Sequence, residues 1–68
     1  MEHNGIGQMI RLARIKKGMT QSDLAGVMNV SQGAVGQWES GITLPKARNI
    51  AKLSEVLEIP VEKLLKAG

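Results

Sequence analysis

Apolar residues recur along this chain at helical intervals. Ile6, Met9, Ile10 and Ala13 fall at i, i+3, i+4 and i+7, the stripe of a first helix predicted from about Ile6 to Lys17. Leu24, Ala25 and Met28 make a second short apolar face, and Ala34, Val35 and Trp38 a third. Ile50, Leu53 and Leu57 supply a fourth, and Val61, Leu64 and Leu65 a fifth. Val30 and Ile59 lie between these stripes as inward plugs. The pattern predicts an all-α fold of five helices around one core.

Punctuation between the stripes agrees with this division. Asn4 is a possible cap for the first helix, and Gly18 stops it after the cations Arg14, Lys16 and Lys17, which complement a helix C-terminus. Thr20-Gln21-Ser22-Asp23 is a capping-box variant with Asp in place of Glu. Asn29 tolerates the left-handed conformation that ends a helix, Ser31 is a good N-cap, and Gly41 closes the third helix, read as about 31–40. Pro45 restricts Leu44 and suits the start of a fourth helix, from about Lys46 to Leu57. Glu58-Ile59-Pro60 breaks that helix, and the fifth ends near Ala67-Gly68. Gly26, inside the second helix, costs about 1 kcal/mol against Ala, which implies either close packing or tolerance.

Residues 20–41 organise the rest: two short helices joined by a tight turn, the second offered outward. Gln32, Gly33, Gly36, Gln37 and Ser40 share its outer face, which carries no hydrophobic side chain. Gln21, Leu24, Ala25, Val30, Ser31, Val35, Trp38, Glu39 and Gly41 stand where the helix-turn-helix of phage repressors wants them. Ile10, Arg14, Gly18-Met19-Thr20, Pro45 and Leu64-Leu65 extend the match. The chain therefore resembles the Cro/CI-type, lambda-repressor-like (XRE) family of DNA-binding domains over nearly its whole length, residues 1–68 reading as a single domain with the motif at about 20–40. Two features depart from the family pattern: Asn29, where Gly is usual, and the Gly33/Gly36 pair in the outward helix.

The resemblance implies a compact five-helix domain that binds double-stranded DNA as a transcriptional regulator, most simply a phage or prophage repressor. It implies that Gln21 donates to the DNA backbone and that Arg14 and Glu39 form a partly buried ion pair of structural value. It further implies a homodimer on a near-palindromic operator, with weak self-association in solution through a surface around Glu58 to Lys63. Such a domain is either a small complete protein or the DNA-binding part of a longer repressor. Two other readings stand beside this one: an operator-binding antitoxin, and a helix-turn-helix-derived domain that binds protein rather than DNA.

Charge refines the picture. The net charge is +3, but residues 21–40 carry only Asp23 and Glu39. The reading helix is therefore not basic, and phosphate attraction must come from its flanks. Arg11, Arg14 and Lys17 on one side and Lys46 on the other are the candidate cationic phosphate contacts, joined by the polar groups of Gln21, Ser31, Ser40 and Thr43; Arg48 is a further candidate. Gln32, Gly33, Gly36 and Gln37 are the candidate base contacts. Gln32 enters end-on, where a Gln amide can pair with adenine N6 and N7. Gly33 and Gly36 offer no side chain: they either allow close approach to the bases or leave selectivity to DNA shape.

Composition narrows the alternatives. Sixty-eight residues make one small domain, burying about 60% of the unfolded surface. With one Trp, four Met and no Phe or Tyr, the core must be aliphatic and methionine-rich; with no Cys, neither disulfides nor thiolates contribute. No apolar run approaches the roughly 20 residues of a membrane span, and the N-terminal stretch lacks a signal peptide's apolar segment, so a cytoplasmic, nucleoid-associated protein with no membrane partner is expected. His3 is the only histidine, Glu55, Glu58 and Glu62 read as surface groups, and no HExxH, CxxC or Walker-type loop occurs. No enzyme activity, cofactor, metal or small-molecule ligand is expected.

Overall fold

Capping chemistry sets where the helices begin and end. The computed structural model describes residues 5–67, in which α1 is Gly5–Lys16, α2 Gln21–Met28, α3 Gln32–Ser40, α4 Ala47–Leu57 and α5 Val61–Ala67. Thr20 and Asp23 form the reciprocal capping box: Thr20 Oγ1 accepts from the Asp23 amide, and the Asp23 carboxylate accepts from the Thr20 amide, each at 2.9 Å. Asn29 ends α2 at φ 60°, ψ 45°, and Gly41 ends α3 at φ 80°. Asn4 and His3 lie outside the described residues.

The core gathers one stripe from every helix. Ile6 and Ile10 of α1, Leu24, Ala25 and Met28 of α2, Val35 and Trp38 of α3, Leu53 and Leu57 of α4, and Leu64 of α5 are buried together. Met9, Ala13, Val30, Ala34, Ile50 and Ile59 pack around them, half-buried. Trp38, 5% exposed, is a core residue rather than a stacking platform. α3 packs mainly on α1 and α2, while α5 closes the other side against α1 and α4. The helix-turn-helix is thus braced from behind by α1, and its outer face is left to solvent.

The structure departs from the sequence reading at the C-terminal end. Val61 and Leu65 are exposed, Leu65 by 61%, and only Leu64 of the apolar trio is buried. Adjacent helical residues stand about 100° apart, so a seven-residue helix that inserts Leu64 must turn Leu65 away. Glu58 is the left-handed C-cap of α4 at φ 58°. There its side chain reaches Lys17, with 2.9 Å between Nζ and Oε2. α4 begins at Ala47, with Lys46 as an N-cap that makes no side-chain bond. Among the described residues no helix is long and apolar enough to cross a membrane.

Two helical glycines behave oppositely. A Cβ built at Gly26 meets nothing within 4 Å, so this residue is tolerated rather than demanded by packing. A Cβ at Gly5 would stand 2.5 Å from the Ala67 carbonyl oxygen, where the start of α1 meets the end of α5. Gly26→Ala should raise the free energy of unfolding by about 1 kcal/mol, and Gly5→Ala should lower it. Denaturant titrations of both variants check the pair of signs.

Candidate nucleic-acid interface

α3 is oriented by what it buries. Ala34, Val35, Trp38 and Glu39 face inward, and Gln32, Gly33, Gln37 and Ser40 are exposed along the opposite side, with Gly36 half-buried between. Ser31 Oγ accepts from the Ala34 amide at 3.1 Å and so starts the helix. Ser40 Oγ donates back to the Gly36 carbonyl at 2.6 Å, one turn earlier. The outer face therefore combines two amides, two hydroxyls at its ends and bare backbone at the glycines.

The orientation is locked by a polar node. Arg14 Nε donates to Glu39 Oε2 at 2.6 Å and Nη2 to Oε1 at 3.0 Å, while Nη1 donates to the Met19 carbonyl at 2.8 Å. The two side chains are only 11% and 4% exposed. Gln21 Nε2 adds a third donor to Glu39 Oε1 at 3.1 Å. Burial alone would raise the Glu39 carboxyl, but hydrogen bonds from Arg14 and Gln21, with the charges of Arg14 and Arg11, outweigh it and hold it below its ordinary value. The same carboxylate raises the Arg14 guanidinium, through its hydrogen bond first.

The ion pair expected between Arg14 and Glu39 is present, and Gln21 joins it. The Gln21 amide nitrogen is engaged with Glu39 within the fold. Arg14 is turned inward, with three of its N–H groups donating within the fold.

The remaining candidates divide by location. Arg11, Arg14, Gln21, Gly36, Glu39 and Ser40 line one cleft of about 250 Å³ between α1, α2 and α3. Lys17 is elsewhere, paired with Glu58 beside a separate cleft against Leu57. Thr43 and Lys46 are exposed after α3. Arg48 lies with Lys52 next to the Met28-Asn29-Val30 turn. Gly33 and Gly36 are not required by internal packing: a Cβ at either would make ordinary contacts, 3.8 Å from Ser31 Oγ and 3.6 Å from Gln21 Oε1. Ser22, which carries no motif in the sequence, donates its Oγ to Gln32 Oε1 at 3.0 Å. No local pattern could have revealed a contact between residues on different helices. Among the described residues no group of three or more His, Cys, Asp or Glu gathers as metal ligands.

Comparison with known proteins agrees with this geometry. A family model described as Helix-turn-helix matches residues 10–64. The HTH-type transcriptional regulator DicA of Escherichia coli (strain K12) is 40% identical over 53 residues, which cover 78% of this chain and 39% of that protein. Repressor protein C2 of Salmonella phage P22 is 36% identical over 61 residues, covering 90% of this chain and 28% of that protein. The Uncharacterized HTH-type transcriptional regulator YazB of Bacillus subtilis (strain 168) is 36% identical over 64 residues, covering 94% of this chain and 93% of that protein. The chain thus spans less than half the length of the first two relatives and nearly all of the third.

The node generates a stability prediction with a pH signature. Glu39→Gln should cost about 2–3 kcal/mol near neutral pH, between the values for exposed and fully buried pairs, because Arg14 loses its counter-charge. Glu55→Ala, an exposed change, should stay within about 0.5 kcal/mol. A carboxyl whose folded pKa is depressed stabilises the fold above its ordinary value of 4.5 and loses that contribution as pH falls through the folded pKa. The wild type should therefore lose stability below about pH 4.5 more steeply than Glu39→Gln, as measured by thermal melts between pH 7 and pH 3.

Proposed function

The chain belongs to the helix-turn-helix family whose model covers residues 10–64, and from that premise we propose that it is a sequence-specific, duplex-DNA-binding transcriptional regulator of the phage or prophage repressor kind. The observation that carries this reading is the outer face of α3. It is a polar and largely exposed helical surface, presented by the Arg14–Glu39 node behind it, and a helix of this diameter fits the major groove. Gln32 at its leading end pairs with an adenine edge, and Gln37 reaches a second base further along. Gly33 and Gly36 let the helix backbone approach the bases closely, which explains why residues that the fold does not need stand there.

Phosphates flank this face. Arg11 at the rim of the α1–α3 cleft and Lys46 after α3 supply charge, while Ser31, Ser40 and Thr43 supply hydroxyl donors; Gln21 contributes through its position at the α2 N-terminus. Lys17 exchanges its exposed partner Glu58 for a phosphate on docking. Arg14 acts through the ion pair that holds α1 against α3. A second copy of the chain pairs along Val61 and Leu65, the apolar stripe that the single domain leaves uncovered, so that two reading helices meet a near-palindromic operator. The stripe is small, so pairing is weak away from DNA.

Selection from a random duplex library at two salt concentrations tests the reading. The expected result is a near-palindromic motif whose binding weakens steeply with salt, and Arg11→Ala and Lys46→Ala should each lower the salt slope by about 1 without altering the motif. Absence of binding even at low salt would overturn the DNA reading in favour of a protein-binding domain.

A further inference from the structure

Gln32 is exposed at the first turn of α3, where a side chain with three rotatable bonds would ordinarily sample many rotamers. It does not stand alone. Ser22, in the first turn of α2, places its hydroxyl 3.0 Å from Gln32 Oε1 across the turn of the motif. The neighbouring Gln21 instead has its amide nitrogen engaged with Glu39. Ser22 has no other evident duty: the cap of α2 is made by Thr20 and Asp23, and Ser22 itself is exposed.

We propose that Ser22 is a positioning residue for base readout, holding the Gln32 amide in the orientation that an adenine edge requires. This rests on the reading of Gln32 as a base contact given above. A serine hydroxyl donating to Oε1 uses one lone pair of that oxygen. Both Nε2 hydrogens and the second Oε1 lone pair remain, and these are the groups that adenine N7 and N6–H need. Fixing the amide before docking also removes rotamer freedom that would otherwise be lost on binding. The bond therefore adds to discrimination at one base pair, not to general affinity for DNA.

The test measures affinities of the full chain for the selected duplex and for versions with each base pair changed in turn, at one salt concentration. The proteins are wild type, Ser22→Ala, Ser22→Thr, Gln32→Ala and the Ser22→Ala/Gln32→Ala double variant. Gln32→Ala should reduce preference at one A·T pair by about tenfold. Ser22→Ala should reduce preference at that same pair by roughly threefold to fivefold, Ser22→Thr should restore it, and Ser22→Ala should change nothing further once Gln32 is gone. Ser22 is exposed and outside the cap, so its variants should melt as the wild type does. If Gln32→Ala relaxes one base pair while Ser22→Ala leaves it unchanged, the positioning role is overturned and the base contact stands. Ser22→Ala lowering affinity evenly for every duplex, with or without Gln32, would also overturn it, marking a direct phosphate contact instead. If Gln32→Ala relaxes no base pair, the assignment of Gln32 as a reader fails, and the role of Ser22 falls with it.

Discussion

A carboxylate at the end of the reading helix has been taken out of water, and the arrangement of three helices follows from how its charge is met. Glu39 is almost fully buried, and an unpaired charge there would cost the fold several times what an exposed pair contributes. Arg14 answers it from α1 and Gln21 from α2, while Arg14 also ties itself to the Met19 carbonyl in the connection between those helices. Apolar packing can hold three short helices together yet leave their relative rotation loosely specified. A guanidinium gripping both oxygens of one carboxylate does not. The node therefore decides which face of α3 looks outward.

With that face defined by a charge hidden behind it, the middle of the face carries no core packing. Gly33 and Gly36 illustrate the consequence. Each lowers helix propensity by about 1 kcal/mol against Ala, and neither is crowded enough to exclude a methyl group. In a domain this small such losses are a sizeable part of the total stability, so their compensation must come from the packed side of the helix. Trp38 and Val35, both buried, supply it. Stability is concentrated on one side of α3, and surface suited to recognition on the other.

Local features were legible in the sequence because they depend on neighbours a few residues away. The stripe of α1, the capping box at Thr20, the left-handed Asn29 and the cap at Ser31 all follow from spacing and side-chain chemistry, and the structure has each in place. Long-range contacts were not legible in the same way. The Gln21 link to Glu39 and the Ser22 link to Gln32 depend on how α2 and α3 dock. Lys17 meets Glu58 across the α1–α4 junction, at a C-cap whose positive φ falls on a residue that is not glycine. Leu65 was misplaced for a related reason: periodicity names the apolar residues of a short helix but not which of two adjacent ones the core can reach.

The division of charge bears on how affinity and specificity are separated in this domain. The only charges on α2 and α3 are Asp23, held in the cap, and Glu39, neutralised inside by Arg14. The exposed face of α3 is consequently neutral, and in the proposed reading general attraction to a phosphate backbone falls to flanking cations such as Arg11 and Lys46. A basic reading helix would hold any duplex strongly, whatever its sequence, because counterion release does not depend on the bases. A neutral one gains little from a wrong sequence beyond what its flanks provide. Its contribution rises only when amide donors and acceptors find their complements, so keeping charge off α3 makes the small number of polar contacts it can form weigh more in discrimination.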